Sequence, residues 1–204
     1  MRRSAVRADG ADGFLRSVTV TAEMPYMSAI QPCPDLHIRR YRPADAQALF
    51  AVFHSAVHVT ARHDYRADQL HAWAPKDMDP VAWAEHMERI KPFVAQIGQM
   101  PVGYADVQPN GCIDHFFVSG LHARRGIGRA LMQAIETEAM RLGIGELWSH
   151  VSRTAQPFFE QAGFAVVEQR SPVRRGVVIP NALMRRPMVA STPGDRCTAR
   201  GGDP

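Results

Sequence analysis

The residues best suited to chemistry lie together in His122–Met132 (HARRGIGRALM). Gly126 and Gly128 alternate with Ile127, and Arg124, Arg125 and Arg129 surround them. An apolar run ends just upstream at Val118. An amphipathic helical pattern starts near Gly126, with Ile127, Ala130, Leu131, Ala134, Ile135 and Leu142 on its apolar face, and stops at Gly143. The first turn of a helix has backbone N–H groups without partners and the positive end of the dipole. An anion binds there if the backbone comes close, and glycines remove the side chains that would block it. The arginines add charge, so the expected chemistry is a grip on a diphosphate-like group. A dinucleotide loop would need a third glycine at position 131, which is Leu, and a Walker loop would need Gly-Lys-Ser/Thr, which is absent. The competing reading is a strand-to-helix turn softened by glycine.

The stretch just before the loop, CIDHFFV, holds the acid–base candidates. Strand alternation puts Cys112, Asp114 and Phe116 on one face and Ile113, His115 and Phe117 on the other. Asp114 is an isolated carboxylate in an apolar strand, and burial there would raise its pKa towards that of a useful base. The alternative is a structural Asp bonded to a neighbouring loop. His115 is the second candidate base, set against a packed histidine. His54 and His58 are four apart on an expected helix, but no third ligand has matching spacing, and no metal is expected. Trp73 and Trp83 read as core or pocket walls rather than a nucleic-acid stacking platform.

The elements that must position these groups can be traced along the chain. Leu36–Arg42 reads as a strand, and Pro43 suits the first position of a helix, followed by Leu49, Phe50, Phe53, Val57 and Ala61 at helical spacing. A short helix is expected over Arg66–Trp73, and another from Asp79–Pro80 to about Ile90. Pro92–Ile97 and Pro101–Val107 should be strands joined at Gly98–Gln99. Asn110–Gly111 signals a hairpin that runs Cys112–Val118 antiparallel to the strand before it. After the Gly126 helix come a strand, Glu146–Val151, a short helix, Thr154–Ala162, and a final strand pair, Phe164–Val173 and Val177–Met188. The fold class is α/β (α+β), a mixed, mostly antiparallel sheet flanked by helices, written β-α-α-β-β-β-α-β-α-β-β.

With 204 residues, 46% hydrophobic and 22% charged, the chain fits one domain with tails. Residues 1–35 and 189–204 read as a disordered extension and tail around a domain at 36–188, and translation could start at Met1, Met24 or Met27. Cys33, Cys112 and Cys197 fit neither a disulfide framework nor a zinc site. No apolar run is long enough for a membrane span, and none follows Arg2 and Arg3 as a secretory signal would need, so the expected location is cytoplasmic. The net charge of +4 concentrates at the loop arginines and in the acid-free run Arg170–Arg186. That distribution suits a small polyanion better than nucleic acid.

VSGLHARRGIGRALM resembles the signature of the Gcn5-related N-acetyltransferase (GNAT) superfamily, and Ser152–Phe164 (SRTAQPFFEQAGF) resembles its later segment ending in Gly-Phe. The likeness spans about residues 36–188. Tyr65–Pro75, Ile113–Val118, Ala155–Phe164 and the Arg175, Gly176, Asn181, Met184 pattern are similar to the YafP-like branch. The resemblance implies acetyl-CoA as acyl donor, with the strand groups of Phe116, Phe117 and Val118 along the pantetheine arm and the amides of Ala123 to Arg129 on the diphosphate. Ser152 and Phe159 would also border the cofactor. Phe159 stands where many relatives carry an acidic tyrosine, and Ala123 stands where Arg or Gln is usual. By the same likeness the base belongs at Cys112 or Asp114, and Tyr65 lies on the acceptor side of the cleft, to protonate the thiolate or position the amine. The alternative is a packed aromatic with a satisfied hydroxyl, with Ser152, water or no dedicated acid in its place. The expected activity is direct acetyl transfer to a primary amine of a small-molecule or peptide acceptor, in a ternary complex, with no nucleic acid or membrane partner and a possible homodimer. The alternative is an acyl-CoA-binding regulatory module with little or no turnover.

Overall fold

A computed structural model describes residues 35–188. Apart from Asp35, the expected N-terminal extension, the C-terminal tail, Cys33, Cys197 and the candidate internal starts lie outside the described residues.

The first strand, β1 (Leu36–Arg40), leads through a 3-10 turn at Pro43–Asp45 into α1 (Ala46–Ser55). Two more helices, α2 (Ala67–Trp73) and α3 (Pro80–Ile90), precede β2 (Phe93–Ile97). Three helices therefore separate β1 from β2, as the segments at Pro43, Arg66–Trp73 and Asp79–Ile90 imply, although the written element order counts two. The cap expected at Asp79 forms: its carboxylate accepts from the Val81 amide at 2.9 Å, with Pro80 in the first turn. Beyond α1 the chain widens into a π-helical turn, Ala56–Thr60, and closes in a 3-10 turn, Ala61–His63. π-helical turns of this kind are frequent at functional sites.

β3 (Met100–Ala105) follows β2 across the expected Gly98–Gln99 turn. The segment expected as one strand over Cys112–Val118 is broken into β4 (Cys112–Ile113) and β5 (Phe116–Val118). Of the two, only β5 pairs antiparallel with β3, through Gly103↔Val118, Tyr104↔Phe117 and Ala105↔Phe116. β4 instead runs parallel to β6 (Glu146–Ser152), through Cys112↔Trp148 and Ile113↔Ser149. The strand thus leaves one sheet and enters another at Asp114–His115. The sheets are ordered β1-β2-β3-β5 and β4-β6-β10-β7, with β7 at Ala165–Arg170 and β10 at Asn181–Pro187.

The final pair is also more segmented than its apolar pattern implied. β7 (Ala165–Arg170) and β10 (Asn181–Pro187) pair with each other, and a two-stranded ribbon, β8 (Val173–Arg174) and β9 (Val177–Val178), stands between them. Pro172 and Pro180 lie at the two interruptions, where a residue with no N–H cannot continue a ladder.

Two apolar clusters fill the two sides. Helices α1 to α3 pack Leu49, Phe53, Val57, Trp83 and Met87 against Val94 and Tyr104. On the other side α4 (Ile127–Leu142) packs Ile127, Leu131 and Ile135 with Ala95, Val102, Leu147, Val151 and Phe159 of α5 (Gln156–Gln161). Of the apolar face read for α4, Ile127, Leu131 and Ile135 are buried, Ala130 and Ala134 are partly buried, and Leu142, in the last turn, is exposed. Among the described residues, no helix is long and apolar enough to cross a membrane.

Candidate active site

Where β5 parts from β6, a cleft opens between Phe116–Val118 and Ser152, and it forms a cavity of about 920 Å³. Its floor runs to the start of α4. Gly126 caps that helix at φ 80°, ψ −2°, a left-handed conformation that a residue with a Cβ enters only with strain. Gly128 faces the ring of Phe158, and a Cβ there would sit 3.2 Å from its Cε2. Both glycines border the cleft at the start of α4. The first-turn amides of α4 have no acceptor within the helix, so they are available to an anion. Arg124 and Arg129 line the same cavity. The π-helical turn supplies the opposite wall through Ala56, Val57 and Thr60, and it is held to the loop by the Gly120 amide donating to Ser55 Oγ at 3.1 Å.

Of the residues named from sequence for the cofactor, Phe116, Phe117, Val118, Ala123, Arg124, Gly126, Ile127, Gly128, Arg129 and Ser152 all border this cavity. Two do not. Arg125 is exposed and outside the wall. Phe159 is 2% exposed and packs edge-on to Phe116 and Phe164, so it belongs to the core, while its neighbour Phe158 faces the cleft. A six-residue helix turns adjacent side chains about 100° apart, and spacing alone did not tell which phenylalanine looked outward. Phe158, Met132, Gln133 and Trp73 are lining residues that sequence reasoning did not assign to the cofactor.

Tyr65 is buried, and its hydroxyl is fully engaged. It donates to the Pro180 carbonyl at 2.6 Å and accepts from the Arg153 amide at 2.9 Å. Burial raises its pKa. The ring packs edge-on against Trp73, which does reach the cleft, but Tyr65 itself borders a smaller cavity of about 410 Å³ with Arg153, Gln69 and Pro180. In this structure it is a brace between the end of β6 and the segment leading into β10.

The β4–β5 break assembles a polar cluster that alternation did not foresee. Asp106, 1% exposed, accepts from the His115 amide at 2.6 Å and from Gln108 Nε2 at 2.6 Å, while its own amide donates to the His115 carbonyl at 3.1 Å. These bonds draw the chain out of regular pairing. Burial pushes the Asp106 carboxyl up to about 6. Asp114 and His115, expected on opposite faces, converge instead. The carboxylate of Asp114 is half exposed, so the burial expected for it belongs to Asp106. His115 lies among Phe53, Trp83 and Phe117, and burial lowers its pKa to about 4.

His86, on α3, joins this cluster. Its Nε2 is 3.1 Å from His115 Nε2 and 3.5 Å from Asp114 Oδ2. Arg89 contacts its Nδ1. A guanidinium only donates, so His86 Nδ1 accepts and its proton sits on Nε2. That proton goes to His115 Nε2, which leaves the His115 proton on Nδ1, donated to Tyr104 Oη at 3.0 Å. Burial lowers the pKa of His86, in keeping with a neutral ring. His86 is 28 positions from Asp114, and no local spacing links them. The other histidine pair, His54 and His58, stacks at 4.1 Å between ring centroids, and His58 is tied to the Ala74 carbonyl at 2.7 Å. Cys112 is a free thiol that burial pushes up to about 12, which keeps it protonated and a poor nucleophile.

The acetyltransferase (GNAT) domain model matches residues 61–181, and the chain belongs to that family. It is 37% identical over 152 residues to the uncharacterized N-acetyltransferase YafP of Escherichia coli K12, covering 74% of this chain and 95% of that protein. A GCN5-related N-acetyltransferase structure from Rhodopseudomonas palustris superposes with a TM-score of 0.72 at 26% identity, covering 74% of this chain and 95% of that one. The PaiA N-acetyltransferase of Thermoplasma acidophilum, solved with coenzyme A, superposes with a TM-score of 0.62 at 15% identity, over 75% of this chain and 99% of that one. The resemblance read from the loop and the Gly-Phe segment, including the YafP-like branch, is borne out by these relatives.

Proposed function

We propose that this chain transfers the acetyl group of acetyl-CoA directly to a primary amine within a ternary complex. The observation that carries the reading is the cleft between β5 and β6, which runs without interruption from the strand groups of Phe116–Val118 to the exposed start of α4. The residues present fit acetyl-CoA. Gly126, Gly128, Arg124 and Arg129 suit a diphosphate, and the apolar wall of Phe116, Phe117 and Phe158 suits the pantetheine arm. The cofactor supplies a thioester whose carbonyl is open to an amine.

The chain's own groups would deliver that amine in neutral form. An alkylammonium must lose a proton before attack, and its pKa is near about 10. Asp114 is the carboxylate at the β4–β5 break, half exposed and 3.5 Å from His86 Nε2 on α3. It stands outside the lining of the cleft and is the proposed proton acceptor, acting directly or through water. On the far side, the departing sulfur needs a hydrogen-bond donor. α5 offers Phe158 and Phe159 and no hydroxyl there. Ser152 lies on the cavity wall, where its Oγ accepts from the Ala155 amide at 3.3 Å and keeps its own proton for donation. Tyr65 acts by holding Arg153 and Pro180 in place beside the cleft.

The test is a thiol-release assay with acetyl-CoA and a panel of amines, amino acids and peptides, paired with calorimetric binding of acetyl-CoA. Release that depends on an amine supports the enzyme. Tight binding with no release on any amine would replace it with an acyl-CoA-binding module. Failure to bind acetyl-CoA would remove both readings.

A further inference from the structure

We propose that His86, Asp114 and His115 form a binding site for a divalent cation of the zinc class. The three residues bring one ligating atom each to within 4.8 Å of one another. The two Nε2 atoms stand 3.1 Å apart and His86 Nε2 lies 3.5 Å from Asp114 Oδ2. Ligand atoms around a tetrahedral zinc at about 2.0–2.1 Å lie roughly 3.3 Å from each other, so these two edges already have the needed length. Two imidazoles and one carboxylate suit zinc or cobalt rather than magnesium or calcium, which prefer all-oxygen shells.

The fold prepares this geometry in two ways. A regular strand would send Asp114 and His115 to opposite faces, and the break between β4 and β5 sends both towards α3. His115 is then oriented by Tyr104, whose Oη lies 3.0 Å from its Nδ1, so Nε2 is presented without a proton. Metal-bound histidines are usually fixed through the second ring nitrogen in this manner. The half-exposed side of Asp114 leaves a fourth position for water.

One contact opposes the metal. Arg89 on His86 Nδ1 holds the His86 proton on Nε2, the atom that must bind. Loading the site requires that proton to move to Nδ1 and the exposed guanidinium to swing away. In the metal-free protein the same two rings are joined by that proton, so cation and hydrogen bond exclude each other. The bound cation would also take the carboxylate proposed as proton acceptor. Occupancy therefore suppresses transfer, a consequence that rests on the function proposed above, whereas the binding does not.

The experiment uses the full chain, stripped of metal and without acetyl-CoA, titrated with Co²⁺ and followed by visible absorption, with Zn²⁺ in competition. The wild type should take up one cobalt ion with the intense bands of four-coordinate geometry. His86→Ala and Asp114→Asn, both at partly exposed positions, should lose those bands while circular dichroism stays native. Arg89→Glu supplies an acceptor for the Nδ1 proton and should tighten binding by about 10-fold or more. Equal cobalt affinity in wild type and His86→Ala, or no gain in Arg89→Glu, would overturn the site. In the thiol-release assay, Zn²⁺ should lower the wild-type rate and spare His86→Ala relative to its own metal-free rate. Cobalt binding as described in a protein with no transferase activity would keep the site and remove the function.

Discussion

Replacing Tyr65 with Phe separates a brace from a catalytic proton donor. The hydroxyl makes two bonds, to the Pro180 carbonyl at 2.6 Å and from the Arg153 amide at 2.9 Å. Each such bond contributes about 1 kcal/mol net, and a buried partner left alone costs more. The adjoining cavity of about 410 Å³ lets water reach the freed groups, which limits the loss. The expected destabilisation is therefore about 1–2 kcal/mol. For a domain of this size that corresponds to a fall of roughly 3–6 °C in Tm. The assay is thermal unfolding followed by circular dichroism, with the pH–rate profile of thiol release measured alongside. The profile should keep its shape, because a hydroxyl already donating to Pro180 has no proton to give the thiolate. A Tm equal to that of the wild type would refute the bracing account. A lost alkaline limb in the profile, at unchanged Tm, would return Tyr65 to the role of acid.

Gly128→Val places methyl groups against Phe158 and into the cleft, so acetyl-CoA affinity measured by calorimetry should fall by at least about 10-fold with the fold intact by circular dichroism; unchanged affinity would contradict the anion cradle. Asp114→Asn should lower kcat by about 100-fold or more with acetyl-CoA affinity nearly unchanged, as measured by steady-state kinetics and calorimetry, if this carboxylate takes the amine proton. Asp45→Asn tests the base of α1, where the buried carboxylate receives Arg39 at 2.6 and 2.7 Å and the Arg42 amide at 2.8 Å. The hydrogen bonds from Arg39 hold the Asp45 carboxyl below its usual range, so its stabilisation is present above the unfolded value of about 3.9 and is lost as pH falls below it. Denaturant titrations should show a loss of about 1–3 kcal/mol at pH 7 for Asp45→Asn, shrinking towards acid; a difference that does not vary with pH would rule out the ionised pair.

The local features were legible in the chain because short-range physics sets them. The α4 start at Gly126 and its Gly143 stop depend on residues within a few turns. The Asp79–Pro80 cap and the Gly98–Gln99 turn are of the same kind. The tertiary structure decided what depends on pairing between distant segments. Cys112–Val118 looks like one strand in sequence, yet Asp106 captures the backbone at His115, so β4 joins β6 and β5 joins β3. That single break opens the cleft, turns Asp114 and His115 to the same side, and brings His86 from α3 to meet them. Alternation could not foresee it, because the competing hydrogen bond comes from a carboxylate nine residues upstream in the chain. Tyr65 and Phe159 show the same at the level of single side chains: long-range packing engages the Tyr65 hydroxyl with Pro180 and buries Phe159 in the core.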